Sequence, residues 1–157
     1  MLSVFDGLRD VTTLSVFVRL ACALICGGII GIERSYKRRP AGFRTHILIC
    51  IGAAITTLTS QYLYLNMHYF TDMARLGAQV VAGIGFIGAG TIIVTKRQRV
   101  KGLTTAAGLW TSAIIGLTFG GGFYEGGILA TVFIMLAELV FSRLEYRVLE
   151  HVPEINV

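Results

Sequence analysis

Charged residues are scarce in this chain, and their scarcity limits the class of protein that it can be. They make up 15% of the 157 residues, whereas hydrophobic residues make up 54%. A soluble domain of this length could bury a good core, but it would not hide five nearly uncharged runs that are each long enough to cross a bilayer. The composition therefore excludes an ordinary soluble protein.

The sequence motifs of catalysis are absent too. The chain contains no Ser/His/Asp order, no H-E-x-x-H and no phosphate-binding P-loop sequence, so an enzyme is not expected. No Asp or Glu lies near the middle of any apolar run, whereas Mg²⁺ is usually held by carboxylates and retained water. We therefore expect no cofactor. Mg²⁺ as a ligand or substrate stays open, because discontinuous helices can supply carbonyl ligands.

Cysteine is also rare. Cys22, Cys26 and Cys50 form no close C-x-x-C pair and have no neighbouring histidine. Their shared depth could allow them to ligate copper(I) or zinc, but cysteine more often packs as a small buried hydrophobe. We adopt the packing interpretation, and no disulfide framework is indicated.

What the chain does have is five apolar runs, at residues 14–32, 45–65, 75–95, 102–120 and 123–142. Each has about the 20 residues that a helix needs to cross ~30 Å of hydrocarbon. We predict an all-α polytopic membrane protein whose five transmembrane helices form a single domain over residues 1–157. Neither a cleavable signal peptide nor a soluble C-terminal regulatory domain is expected.

The distribution of charge predicts the orientation. Basic residues follow the first, third and fifth runs, at Arg34, Lys37, Arg38, Arg39, Arg44, Lys96, Arg97, Arg99, Lys101, Arg143 and Arg147. The acidic residues Asp6, Asp10, Asp72 and Glu125 fall on the other side. The positive-inside rule then places the N-terminus outside and the C-terminus in the cytoplasm. The net charge of +5 is an orientation signal, so binding of nucleic acid need not be invoked.

Polar and ionisable residues at membrane depth are the best functional markers, because each is costly there. They form two layers. The outer layer consists of Arg19, Gln61, Asp72, Arg75 and Gln79. The inner layer consists of Glu33, Arg34, Arg44, Thr45, His46, Thr104, Thr105 and Glu138. Both snorkelling with interfacial pairing and a functional site stay open for these residues.

Specific pairings are predicted in both layers. Arg19 should bind Asp72 or Gln61. Glu138 should pair with Arg143, Arg34 or Arg44.

The hairpin between the first two spans gives two further expectations. Thr45 is the expected N-cap of the second span, and Arg44 beside it should hold Glu33 bidentately across the hairpin. His46 is expected to pack rather than to relay protons.

The string G-I-G-F-I-G-A-G at 83–90 suggests a phosphate-binding loop at first sight. Such a loop would need a preceding strand and a wet, basic mouth, and neither is indicated. On a helix, Gly83 and Gly90 share one face with Gln79, whereas Gly85 and Gly88 lie opposite. We therefore predict a helix with small residues on two sides, at the centre of the bundle.

A second small-residue pattern, Gly27-x-x-x-Gly31, fits either a homodimer or packing within one chain. Packing within the chain is slightly preferred.

Four segments together are specific for a known family. They are G-I-I-G-I-E-R at 28–34, A-G-F-R-T at 41–45, Q-V-V-A-G-I-G-F-I-G-A-G at 79–90 and G-L-T-T-A-A-G-L-W at 102–110. Asp72, followed by Arg75, also matches. In their order and spacing the chain resembles the MgtC/SapB family of bacterial inner-membrane proteins over essentially its whole length.

The resemblance implies a multi-pass protein of the bacterial inner membrane, linked to growth in low magnesium and to virulence. It implies a regulator of another membrane complex, such as the membrane sector of the proton-translocating ATP synthase. The alternative is a transporter or channel for magnesium or another cation. The lipid bilayer is the expected partner in either case, and a homodimer stays open.

The candidate residues of a ligand or partner site combine this resemblance with the two polar layers. They are Glu33, Arg34, Gly42, Arg44, Thr45, Asp72, Gln79, Gly83, Gly85, Gly88, Gly90, Thr104, Thr105, Trp110 and Glu138.

Overall fold

The computed structural model describes residues 3–68, 72–95 and 100–149. A 3₁₀-helix at Ser3–Leu8 precedes six α-helices: α1 (Thr13–Tyr36), α2 (Phe43–Leu65), α3 (Arg75–Ala89), α4 (Leu103–Gly120), α5 (Tyr124–Leu136) and α6 (Ser142–Leu149). Strands β1 (Ile93–Val94) and β2 (Val100–Lys101) form a two-stranded antiparallel sheet. A π-helical turn at Ala137–Phe141 joins α5 to α6.

Four helices are long and apolar enough to cross a membrane, at Thr13–Tyr36, Phe43–Leu65, Leu103–Gly120 and Tyr124–Leu144. These helices make the described chain an all-α membrane protein. The predicted count of five and the predicted orientation remain expectations. Three of the basic residues behind the orientation, Lys96, Arg97 and Arg99, lie outside the described residues, as does the chain after residue 149.

The helix α3 differs from its prediction, because it ends at Ala89 and not at Thr95. Its 15 residues give it a length of only about 22 Å. The β-branched residues Ile93 and Val94 pair with Lys101 and Val100 in the sheet, which suits their preference for extended backbone. Gly102, at φ +96°, then turns the chain into α4.

The centre of the bundle consists of α1, α2 and α4, which approach closely at glycines. A Cβ on Gly31 would lie 2.6 Å from the Cα of Phe43, and one on Gly27 would lie 2.9 Å from the Cβ of Cys50. On α4, a Cβ on Gly116 would collide with the carbonyl of Cys50. The Gly27-x-x-x-Gly31 pattern therefore allows close packing within the chain.

The glycine string of α3 does not lie at the centre, so that prediction is wrong. Only Ile84 and Gly88 of this helix are buried. A Cβ added at Gly83 or Gly85 would meet nothing within 4 Å, whereas one at Gly88 would lie 3.4 Å from the Cβ of Ala106. α3 thus packs on α4 and, through Ile84 against Ala53, on α2, and it leaves the rest of its surface open. Small residues permit close packing, but they do not reveal which helices use it.

Candidate functional site

The structure gathers a buried polar cluster at one end of the bundle, where α1 ends, α2 and α4 begin and α5 passes into the π-helical turn. We call this end the basic end. The inner cluster consists of Glu33, Arg34 and Lys37 from the end of α1, Thr105 from the start of α4 and Glu138 from the π-helical turn. These side chains tie three helical segments together.

Arg34 is the centre of the inner cluster, with 1% of its side chain exposed. Its Nη1 donates to Oε2 of Glu138 at 2.6 Å, and its Nη2 donates to Oγ1 of Thr105 at 3.2 Å. The buried charge is thus matched by a carboxylate, as stability requires, whereas Nε of Arg34 has no hydrogen-bond partner among the described residues. The predicted pairing of Glu138 with Arg34 is therefore confirmed, and Arg143 and Arg44 are not its partners.

Lys37 binds the π-helical turn from the side of α1. Its Nζ donates to the backbone carbonyl of Glu138 at 2.6 Å and to Oγ of Ser142 at 3.2 Å. It also lies 2.7 Å from Oε1 of Glu33, four residues earlier on the same helix. π-helical turns inside α-helices frequently occur at functional sites, and here a lysine donates to a backbone carbonyl of such a turn.

The charges of the inner cluster balance. Glu33 and Glu138 supply two negative charges, and Arg34 and Lys37 supply two positive ones. Glu33 is nevertheless incompletely matched: its Oε2 is buried and has no hydrogen-bond partner among the described residues. Such an atom costs free energy unless water or a ligand binds it.

His46 lies beside this cluster in α2 and is fully buried. Its Nδ1 is 2.9 Å from the carbonyl oxygen of Gly42, whereas its Nε2 has no partner in the described part of the chain. The ring points to α4, since a Cβ on Gly108 would lie 3.6 Å from Nε2. Its role as a packed side chain, rather than a relay, stays a prediction.

Two predictions for the hairpin are wrong. Arg44 is exposed and forms no ion pair with any described residue, and Glu33 is held by Lys37 instead. Thr45 is not the N-cap, because α2 begins two residues earlier, after Gly42. The reason is that α1 continues through Tyr36, beyond its apolar run. Lys37 therefore lies one turn after Glu33 and is the basic side chain that reaches it. This i,i+4 spacing was visible in the sequence.

Arg19 is the buried cation of the opposite end. Its Nη1 donates to Oε1 of Gln61 at 2.8 Å and to the carbonyl of Gly120 at 2.9 Å. Its Nη2 donates to the carbonyls of Leu8 and Arg9, at 3.3 and 2.5 Å. The predicted partner Gln61 is thus confirmed. The other candidate, Asp72, accepts from the N–H of Ala74 at 2.9 Å.

The 3₁₀-helix closes this opposite end, which the sequence did not indicate. Phe5 stacks on Tyr124 with ring centroids 4.9 Å apart. Arg9 Nη2 pairs with Oε1 of Glu125 at 2.6 Å, and its Nη1 donates to the carbonyl of Gly122. These contacts hold the segment before α1 against the start of α5.

The remaining predicted site residues are not gathered into one place. Exposed are Arg44, Asp72, Gln79, Gly83, Gly85, Gly90, Thr104 and Trp110. Gly42 and Thr45 are half-buried. Of the glycine string, Gly83 borders an open apolar groove of about 330 Å³ between α2 and α3, which Leu48, Gly52, Val80 and Ile87 also line.

The cysteines contribute packing. Cys26 and Cys50 lie in the core cluster with Ala23, Ile30 and Phe119. Within the described ranges, no group of three or more His, Cys, Asp or Glu side chains could hold a metal ion. The polar clusters at the two ends are therefore the chemically distinctive parts of the described structure.

Comparison with known proteins assigns the chain to a group. The model of the MgtC family matches residues 20–147. A protein of Escherichia coli K12 named "Putative magnesium transporter YhiD" is 43% identical over 141 residues, which cover 87% of this chain and 65% of that protein. The protein MgtC of Salmonella typhimurium 14028s is 37% identical over 131 residues, which cover 83% of this chain and 54% of MgtC. No solved structure matches.

Proposed function

Because the chain belongs to the MgtC family, we propose that it regulates another complex in the bacterial inner membrane during adaptation to low magnesium. The proton-translocating ATP synthase is the complex that we propose, and virulence is the proposed physiological setting. In this arrangement the basic end faces the cytoplasm, as the positive-inside rule requires. The curated relatives YhiD and MgtC extend beyond the region matched here, so the activity of the whole proteins is part of the proposal.

The observation that carries the proposal is the open side of α3. At 100° per residue, Gln79, Gly83 and Phe86 lie within about 60° of one another. All three are exposed, and the Gln79 amide makes no hydrogen bond within the described residues. An unpaired amide in hydrocarbon is costly, and interhelical hydrogen bonds offset that cost in membranes.

A transmembrane helix of the partner complex is the occupant that this side fits. Gly83 has open space around it, so a second backbone could approach α3 closely there, as small residues permit. The amide of Gln79 would then find its hydrogen bonds on the partner helix. Phe86, which is 87% exposed, would add apolar contact area.

A magnesium transporter is the second candidate. The name of the Escherichia coli relative refers to it, and the buried Oε2 of Glu33 is the one observation on this chain that favours it. Mg²⁺ binds through one or two carboxylates with retained waters. However, the inner cluster already neutralises Glu33 and Glu138 with Lys37 and Arg34, which supports the regulatory proposal.

Inverted membrane vesicles that contain the ATP synthase test the regulatory proposal. We expect the wild-type chain to slow ATP-driven proton pumping, measured by quenching of a pH-sensitive dye. Gly83→Leu should relieve this effect, because the side chain fills the open side of α3. Ala78→Leu is the matched control, since Ala78 is exposed on a different face of the same helix. An unchanged pumping rate with the wild-type chain would exclude the ATP synthase.

Proteoliposomes loaded with a magnesium-sensitive dye test the second candidate. The regulatory proposal predicts no flux above that of empty liposomes. Reproducible flux that is lost in Glu33→Gln would favour the transporter and refute the regulator.

A further inference from the structure

From Arg34 to Arg44, the cations of the basic end fall into two groups, according to whether carboxylates neutralise them. The deep cations Arg34 and Lys37 pair with Glu138 and Glu33. The shallow cations Arg38, Arg39 and Arg44 are exposed and form no ion pair within the described residues. Both carboxylates that the structure describes inside this end are thus engaged by deeper residues. Three positive charges remain without counter-ions on one turn of seven residues.

The fold holds these three cations together. The Oγ of Ser35, near the end of α1, accepts from the N–H of Phe43 at 2.8 Å, which fixes the end of α1 to the start of α2. Arg38 adopts a left-handed conformation with φ 52°, which turns the chain sharply between the helices. Arg38, Arg39 and Arg44 therefore lie on, or directly after, one short connection between two fixed helix ends.

The start of α2 adds donors of its own. Gly42 provides no side-chain cap, and the N–H groups of Arg44 and Thr45 have no acceptor among the described residues. Unsatisfied N–H groups at a helix start bear partial positive charge and suit phosphate oxygens. They reinforce the field of the three guanidinium groups.

Exposed aromatic side chains flank the turn and indicate its depth in the bilayer. Tyr36 is 88% exposed and Phe43 is 43% exposed. Tyrosine prefers the headgroup level of a bilayer. Arg38 and Arg39 follow Tyr36 by two and three residues, and Arg44 follows Phe43 directly, so we expect all three cations near the depth of the lipid phosphates.

We propose that the turn between α1 and α2 binds the headgroup of an anionic phospholipid through Arg38, Arg39 and Arg44. The charge complementarity is the reason: a guanidinium group binds a phosphate bidentately, and anionic lipids are the counter-ions that the surrounding leaflet supplies. This surface is separate from the open side of α3, so it stands whether or not the regulatory proposal holds.

Lipid titration of the purified full chain tests the proposal. Short-chain phosphatidylglycerol and phosphatidylcholine are added to the protein in detergent, and bound lipids are counted by native mass spectrometry. Each cation near an anionic surface contributes roughly a five-fold gain in affinity. The triple variant Arg38→Gln/Arg39→Gln/Arg44→Gln should therefore bind phosphatidylglycerol up to about 100-fold more weakly, with phosphatidylcholine binding unchanged.

Matched variants separate a local site from general surface charge. Lys101→Gln and Arg143→Gln remove exposed cations that lie outside the turn between α1 and α2, and both should leave the affinity for phosphatidylglycerol nearly unchanged. The triple Arg→Lys variant should bind phosphatidylglycerol more weakly than the wild type but more tightly than the triple Gln variant, because lysine keeps the charge and loses the bidentate geometry. An unchanged melting temperature of the triple Gln variant would show that its loss of binding does not come from unfolding.

Three results would overturn the proposal. The first is equal binding of the two lipids by the wild-type chain. The second is a loss in the Lys101→Gln or Arg143→Gln variant that equals the loss per charge in the triple variant. The third is that millimolar inorganic phosphate displaces phosphatidylglycerol and itself stays bound to the turn, because the ligand would then be a phosphate ion and not a lipid.

Discussion

Removal of Arg34 should destabilise the bundle strongly, whereas removal of Arg34 together with Glu138 should not. Arg34→Met leaves the Glu138 carboxylate, whose side chain is 15% exposed, without its guanidinium and leaves Oγ1 of Thr105 without its donor. Breaking a buried ion pair by removing one partner costs about 3–5 kcal/mol. We expect about 3 kcal/mol here, at the low end of that range, because Glu138 retains some exposure.

Removal of Glu138 tests the same coupling between Arg34 and Glu138. Glu138→Leu leaves Arg34, which is 1% exposed, with Thr105 as its remaining side-chain partner, and we expect a loss of about 3–4 kcal/mol. In the double variant neither charge remains buried, and apolar replacements of buried ion pairs are often close to neutral. The double variant should therefore lose only about 1–2 kcal/mol, which corresponds to a coupling energy of roughly 4–6 kcal/mol.

The assay is equilibrium unfolding of the purified chain in mixed micelles, followed by circular dichroism for the wild type, both single variants and the double variant. Thr104→Val is a suitable control, because Thr104 lies on the same helix as Thr105 but is exposed. Additive losses, with the double variant as unstable as the sum of the two single ones, would refute the view that Arg34 and Glu138 form a coupled buried pair.

Two further predictions concern the packing of glycines and the opposite end. Gly116→Leu should destabilise the chain by about 3 kcal/mol or more, because a Cβ there already collides with Cys50. Gly85→Leu should change the stability by no more than about 0.5 kcal/mol. Thermal melting in detergent measures both, and equal losses of stability would contradict the peripheral position of α3. Arg19→Met should accelerate hydrogen exchange in the 3₁₀-helix at Ser3–Leu8, since Arg19 binds the carbonyl of Leu8; unchanged exchange would show that Arg19 does not hold this segment.

Pairings at membrane depth were predictable because few partners exist there. The cost of isolated charges in hydrocarbon narrowed the partners of Arg19 to Asp72 or Gln61 and those of Glu138 to Arg143, Arg34 or Arg44, and the structure selects Gln61 and Arg34. The partner of Glu33 was missed, because the helix α1 does not stop where its apolar run stops. Charged residues at a helix end can stay helical when their side chains face protein, as Glu33 and Arg34 do, and Lys37 then follows as the C-cap and binds the π-helical turn.

The place of α3 could not be predicted for a different reason. Gly85 and Gly116 are equivalent in sequence terms, since both are glycines in apolar runs. Only the tertiary arrangement shows that Gly116 touches α2 and that Gly85 touches nothing within 4 Å. Ile92, Ile93 and Val94 gave a local signal for the early end of α3, because β-branched residues favour strands. These residues are also strongly apolar, so a prediction based on the length of the apolar run included them in the helix.

The charge of Arg19 bears on the choice between the two proposed functions. It hydrogen-bonds to carbonyl oxygens and Gln61, and within the described residues no carboxylate contacts it. A Mg²⁺ ion that passed 6 Å away would be repelled by roughly 5 kcal/mol at an effective dielectric constant of 20. A transporter whose ion path runs past this residue would therefore have to move Arg19 aside, which breaks its bonds to Leu8 and Arg9. Magnesium flux and hydrogen exchange at Ser3–Leu8 would then rise together in a transporter, whereas a regulator that acts through α3 leaves this end closed.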